Sequence, residues 1–127
     1  MIPSPKAVNL LKSELKYNDF DLHKINKFIE YLLLINKKYN LISQSSQNDI
    51  WTRHILDSAQ LVKFIGFDDD SSLSDLGSGG GFPGIIISIF NKNPRFHVKL
   101  YEKSPVKAKF LEDVIKLVGL NAKVIKG

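Results

Sequence analysis

Residues 74–87, SDLGSGGGFPGIII, hold five glycines between a short apolar-acidic stretch and an apolar run. Glycine is costly inside helices and strands, but it lets a backbone turn sharply and approach a ligand without a Cβ in the way. The segment therefore reads as a strand, a tight loop and the start of a helix. Such a junction can serve nucleoside phosphates, a dinucleotide or S-adenosylmethionine.

The phosphate-cradling loop needs Gly-x4-Gly-Lys followed by Ser or Thr. No glycine here precedes Lys-Ser or Lys-Thr, and Gly84 is followed by Ile85. That reading is rejected. The dinucleotide fingerprint Gly-x-Gly-x-x-Gly is present as Gly79, Gly81 and Gly84, with Glu102 roughly 20 residues on. It supports a nicotinamide-dependent oxidoreductase half-domain as one reading. Two features favour S-adenosylmethionine. Asp75 stands two residues before Gly77, where a carboxylate would oppose a pyrophosphate but suit an ammonium and a sulfonium. The glycines also begin early, in the order Asp-x-Gly-x-Gly-x-Gly of class I methyltransferases. The expected cofactor-binding residues are Asp75, Gly77, Gly79, Gly81, Phe82, Tyr101 and Glu102, with Glu102 accepting from both ribose hydroxyls. A helix starting near Gly81 would turn free N–H groups toward the ligand carboxylate.

The first half of the chain is patterned as helices. Ser4-Pro5 is a cap followed by proline in the first turn, with Ala7, Leu10, Leu11 and Leu15 on one face. Asp21 is the expected cap of a second helix with Ile25, Phe28, Ile29, Leu32 and Ile35 inside. A third helix is expected over about 48–65, burying Ile50, Trp51, Ile55, Leu61, Val62 and Ile65 and stopped by Gly66. FDDDSS, residues 67–72, is a polar link and the best boundary. The period then changes. The expected order is a strand at SLSDL, a helix over 81–90, a strand over 96–102, a helix opened by Ser104-Pro105 and closed by Gly119, and a strand at AKVI. The second helix is expected to bury Val106, Phe110, Val114, Leu117 and Val118. This is β-α-β-α-β, with parallel strands and right-handed crossovers. The fold class is α/β: a Rossmann-like class I methyltransferase sheet (71–127), incomplete at three strands, after a helical part (1–70), the two forming one structural unit. A doubly wound sheet normally has five or more strands, so either the chain is a piece of a longer one or something else completes the sheet.

Charge is uneven. The net +5 comes from 18 basic and 13 acidic residues, and residues 1–70 balance at nine of each. The excess lies in residues 71–127, beside the glycines, which points to a polyanion such as RNA. The absence of cysteine excludes disulfides, thiolate metal sites and a cysteine nucleophile. His23, His54 and His97 lack ligand spacing, so no metal is expected. The apolar runs YLLLI and GIIISIF are far short of the roughly 18 residues that span a bilayer, and the N-terminus lacks a signal-peptide core. A cytoplasmic protein with no membrane association is expected.

DLGSGGGFPG (75–84), YNLIS (39–43), RHILDSAQL (53–61) and LYEKSPVKAKFL (100–111) together resemble the glucose-inhibited division protein B family of small-subunit rRNA methyltransferases. The resemblance is good from about residue 39 onward. It implies a helical part on a Rossmann-like sheet, S-adenosylmethionine as cofactor, and 16S rRNA or the small ribosomal subunit as partner. It also implies methyl transfer to N7 of a guanine, with Gly77 and Phe82 at the cofactor and Glu102 on its ribose. Guanine N7 carries a free lone pair, so the chemistry needs no general base and no catalytic acid or base is assigned. Arg53, Lys103 and Lys107 are the candidate RNA contacts. A non-catalytic RNA-binding fragment is the other reading that the basic half supports. His54, Asp57 and Ser58 do not make a hydrolytic triad, because a triad needs histidine between the other two and an oxyanion hole. His54 and Ser58 are instead expected to pack and hydrogen-bond under the loop, and Arg53 to pair with Asp57.

Overall fold

The computed structural model describes residues 3–68 and 70–127; Met1, Ile2 and Asp69 of the polar link lie outside them. Helix α1, Pro5–Ser13, starts as its sequence dictates, with the Ser4 hydroxyl accepting from the Ala7 N–H and Pro5 in the first turn. Helix α2 spans Asp19–Asn36. Its cap is Asn18, not Asp21. The Asn18 side chain accepts from the Asp21 N–H at 2.8 Å and the Asp21 carboxylate accepts from the Asn18 N–H at 3.1 Å, a reciprocal capping box. Ile25, Phe28, Ile29 and Leu32 form its buried stripe.

The expected third helix is divided. A short α3, Gln44–Asn48, is followed by a π-helical turn, Trp51–Leu56, then α4, Asp57–Gln60, and a 3₁₀ turn, Leu61–Phe64. The helical run ends with Ile65 extended, so Gly66 is not its left-handed stop. Leu61 is exposed, because the tighter last turn rotates it off the stripe that buries Val62.

Strands β1, Ser72–Leu76, β2, His97–Glu102, and β3, Ala122–Lys126, form an open parallel sheet in the order β1-β2-β3. This is a Rossmann-like α/β arrangement. Helix α5, Gly84–Phe90, joins β1 to β2, and α6, Pro105–Val118, joins β2 to β3. Both lie against the sheet, and α2 packs across both. Phe28, fully buried, couples the layers: its ring lies 5.5 Å from Phe82 and 6.4 Å from Phe110. Burying such a side chain contributes about 3 kcal/mol. One apolar core runs from α1 through α2 to the sheet. The polar link is tied to it by Phe67, whose ring meets Phe90 and Phe96.

Register decides which strand residues face inward. Leu73 pairs with Val98 and Asp75 with Leu100, which pairs in turn with Val124. Side chains alternate, so this set lies under the helices, and Ser74, Leu76 and Tyr101 lie on the other face. Leu76 is 78% exposed there. On α6, the Ser104 cap and the Gly119 stop, in left-handed conformation at φ +65°, follow the sequence. Val106 and Leu117, expected inside, are exposed at 39% and 45%, since α6 buries only the narrow stripe of Ala108, Phe110, Leu111, Val114 and Val118.

Candidate functional site

The three strands end level, with Leu76, Tyr101 and Ile125 in register. Above them opens a cavity of about 290 Å³ lined by Leu76, Gly77, Tyr101, Glu102, Lys103 and Gly127. Crevices beyond the carboxyl ends of parallel strands are where open α/β sheets bind ligands.

Glu102 organises this cavity. Its Oε1 accepts from the Gly79 N–H at 2.8 Å and its Oε2 from the Ser104 N–H at 3.0 Å. Partial burial opposes its ionisation, but those two N–H groups and the nearby Lys107 outweigh burial and hold the carboxyl below its ordinary value. Each oxygen keeps a further lone pair, so an ionised Glu102 can still accept from two hydroxyls of a ribose. The Gly77 N–H is fixed on the Tyr101 carbonyl at 2.9 Å, and a side chain at Gly77 would meet nothing within 4 Å. The loop is thus open toward the cavity at Gly77 and braced to Glu102 at Gly79.

The opposite side of the loop is packed shut. Gly81 has φ +103°, and a Cβ there would lie 2.9 Å from the Ile85 side chain and 3.0 Å from the Phe28 ring. A residue in that conformation cannot belong to a right-handed helix, so α5 starts three residues later than the sequence pattern indicates. The expected array of free N–H groups at Gly81 is absent. The Gly81 N–H bonds the Ser78 carbonyl, and the first helical N–H, of Gly84, bonds Asp75 Oδ2 at 3.0 Å. A Cβ on Gly84 would run into the Leu100 side chain and that same carboxylate. Asp75 therefore points inward as the cap of α5. Burial pushes its carboxyl up, against the Gly84 N–H and with the Glu102 charge.

Phe82 is also on the packed side. Its ring stacks on His54 at 4.7 Å and 25°. His54 Nε2 is buried with no hydrogen-bond partner among the described residues, so His54 packs under the loop without the expected hydrogen bond from this atom. Burial lowers the His54 pKa, Arg53 adds to that and Asp57 opposes it. Arg53 is exposed and makes no ion pair with Asp57, because the wider π turn moves i and i+4 off a common face.

Of the sequence-predicted cofactor residues, the structure brings Gly77, Tyr101 and Glu102 to the cavity, with Gly79 behind Glu102. Asp75, Gly81 and Phe82 lie on the inner side. Of the candidate RNA contacts, Lys103 lines the cavity, Lys107 stands next to Glu102, and Arg53 is exposed on the π turn, away from the cavity lining. Two positioning residues were not singled out from sequence. Asn36 Oδ1 accepts from the N–H groups of Leu41 and Ile42, and those residues press on Gly80 from behind. Ser78, buried, donates to the Asp75 carbonyl at 3.2 Å. An asparagine ending an apolar helix stripe and a serine inside a glycine run were the available signals. Among the described residues no three His, Asp or Glu side chains cluster to hold a metal ion, and no helix is long and apolar enough to cross a membrane.

Residues 21–127 match the family model GidB, rRNA small subunit methyltransferase G. The chain belongs to this family. It is 44% identical over 112 residues to a Pelagibacter ubique protein named ribosomal RNA small subunit methyltransferase G, covering 85% of this chain and 50% of that protein. Proteins of the same name from Bartonella tribocorum and Bartonella henselae are 42% and 40% identical, over 81% and 94% of this chain and 48% and 55% of theirs. The chain spans about half the length of the curated relatives it matches.

Proposed function

We propose that the strand-end cavity binds S-adenosylmethionine and that the protein to which this chain belongs methylates N7 of a guanine in small-subunit ribosomal RNA. The single observation that carries the reading is the Gly77–Glu102 arrangement in a chain of this family. The residues fit the cofactor. Glu102 is ionised with lone pairs to spare for ribose hydroxyls, Gly77 leaves the approach open, and Leu76 and the Tyr101 ring supply apolar surface for a nucleoside base. Asp75, Gly81 and Phe82 act from behind, fixing the loop's shape.

When bound, the cofactor supplies a methyl carbon on a positively charged sulfur. A guanine N7, with its free lone pair, would accept that methyl group without a general base, the sulfur being the leaving group. No proton is removed, so the chain's task is placement. Glu102 and the loop fix the nucleoside end, and Lys103 and Lys107 stand at the mouth to meet RNA phosphates. The relatives' name, ribosomal RNA small subunit methyltransferase G, supports small-subunit ribosomal RNA as the acceptor.

Isothermal titration of the chain with S-adenosylmethionine and with NAD tests the reading. Binding of the first, uncompeted by the second, is expected. Saturable NAD binding with no heat from S-adenosylmethionine would return the loop to a dinucleotide. RNA binding without either ligand would leave a purely RNA-binding half.

A further inference from the structure

Resting on that reading, we propose that the groove between the C-terminal end of α2 and the first turns of α6 is a second nucleotide site. It takes an unstacked base of single-stranded RNA beside the nucleotide being modified. The groove measures about 350 Å³ and is lined by Tyr31, Tyr39, Pro105, Val106, Lys109 and Asp113 among others. It shares no lining residue with the strand-end cavity.

Its floor is aromatic and rigid. The Tyr31 ring stacks on Phe110 at 5.6 Å and 4°, and its hydroxyl donates to Asp113 Oδ2 at 3.0 Å. Tyr39 and Val106 are each 39% exposed, one on each wall. A partly exposed valine in the first turn of α6 and a partly exposed tyrosine just past α2 present apolar surface to the same space. Flat rings at low entropic cost are what sequence-tolerant base stacking uses.

The surrounding charge is complementary to phosphate. Lys38 Nζ lies 5.4 Å from the Tyr39 ring centroid, Lys109 is on the opposite wall, and Lys103, just before α6, lines the strand-end cavity. Asp113 is the one carboxylate in the lining, and it is already engaged by the Tyr31 hydroxyl and by Lys109 at 2.6 Å. That i,i+4 pair is exposed, so Lys109 can exchange it for a phosphate at little cost. On the other side of the α2 end, a polar basin of about 710 Å³ is lined by Asn36, Lys37, Asn40, Gln44 and Gln47 among others, with no carboxylate. A helical peptide would need a long apolar channel with anchors over two turns. This groove is a single compact pocket with Lys109 in its wall and Lys38 beside Tyr39, which favours RNA.

Position also fits. Pro105 and Val106 follow Ser104, whose N–H is held by Glu102. The groove therefore opens within about one helical turn of the cavity mouth. A strand threading its acceptor guanine to the cavity passes the groove with a neighbouring nucleotide.

The test is fluorescence anisotropy of the chain with a labelled single-stranded RNA of roughly twelve nucleotides, run beside S-adenosylmethionine titrations. Tyr39→Ala is expected to weaken RNA binding about tenfold, Tyr39→Phe to keep it, and both to leave S-adenosylmethionine affinity unchanged. Val106→Glu, at an exposed position, is expected to weaken RNA binding similarly and serves if Tyr39→Ala does not fold. Unchanged RNA affinity in Tyr39→Ala and Val106→Glu overturns the groove site while leaving the cofactor reading intact. Loss in Tyr39→Phe equal to that in Tyr39→Ala overturns stacking. A photocrosslinker at position 39 that captures a ribosomal protein and no RNA from small subunits overturns the proposal as well. If the parent chain binds no S-adenosylmethionine, the cofactor reading falls, and RNA affinity that still depends on Tyr39 supports the groove on its own.

Discussion

The glycine loop has two sides that obey different physics. Toward the strand ends it is open: nothing crowds Gly77, and the one strong anchor is Glu102, a charged acceptor held by two N–H groups. Toward the helices it is closed, with Gly81 against Phe28, Gly84 against Leu100, Phe82 on His54 and Asp75 bonded inward. Residues adjacent in sequence therefore answer to different demands. On the proposed reading the closed side serves stability and the open side serves binding, and substitutions on the two should separate cleanly.

The largest effect belongs to the closed side. Gly81→Ala puts a Cβ into the Phe28 and Ile85 side chains at a φ that alanine rarely adopts. The expected cost is about 3 kcal/mol, from overpacking plus backbone strain. Thermal unfolding should show a midpoint lower by roughly 10 °C, with cofactor affinity falling along with the fold. A variant as stable as the parent would break the division into two sides.

Next comes the open side. Glu102→Gln keeps the shape but replaces a charge-assisted acceptor. A loss of about 2 kcal/mol in S-adenosylmethionine binding is expected, near 30-fold by titration, with a far smaller shift in melting than Gly81→Ala. A variant that melts early and binds normally would reverse the roles assigned here.

This division also marks what could be read from the sequence. Caps written in adjacent residues, such as Ser4-Pro5, Ser104-Pro105 and Gly119, stand where local chemistry puts them. The strands and their parallel order followed from period and spacing. Misplaced features are those that depend on a partner distant in sequence. The late start of α5 follows from Gly81 meeting Phe28, over 50 residues upstream. The π turn that separates Arg53 from Asp57 has no local signature in RHILD. Asp75 was recognisable as a strand-end acid, but its inward direction follows from its register with Leu100, which a single strand cannot reveal. Glu102 and Gly77, whose placement needs only the end of one strand and the start of one loop, stand together at the cavity.

Asp75→Asn sharpens the comparison at smaller amplitude. The amide oxygen can still accept from the Gly84 N–H. Because burial raises the folded-state pKa of Asp75, its stabilising contribution is present at low pH and is lost as pH rises through that value. The variant should match the parent near pH 3 and melt slightly higher at pH 7, the gap opening as pH passes the ordinary carboxylate value of 3.8. Cofactor affinity should change less than in Glu102→Gln. If instead the carboxylate reaches the cofactor's ammonium group, affinity will fall as far as it does for Glu102→Gln.

The smallest effect is a titration under the loop. His54 is held neutral by burial first and by Arg53 second, with Asp57 opposing, so its folded pKa lies below the ordinary 6.5. The unfolded chain then binds the proton more readily, and the stability that the neutral ring contributes is complete above about 6.5 and lost as pH falls toward the folded value. The melting temperature should therefore decline modestly from pH 7 to pH 5, and His54→Phe, which keeps a ring on Phe82, should flatten that part of the decline. Partial exposure of the ring limits the size. The direction is what discriminates: a His54→Phe profile parallel to the parent's would mean that a proton on this ring costs the fold nothing. The closed side of the loop would then be held by Phe28 and Gly81 without help from the π turn.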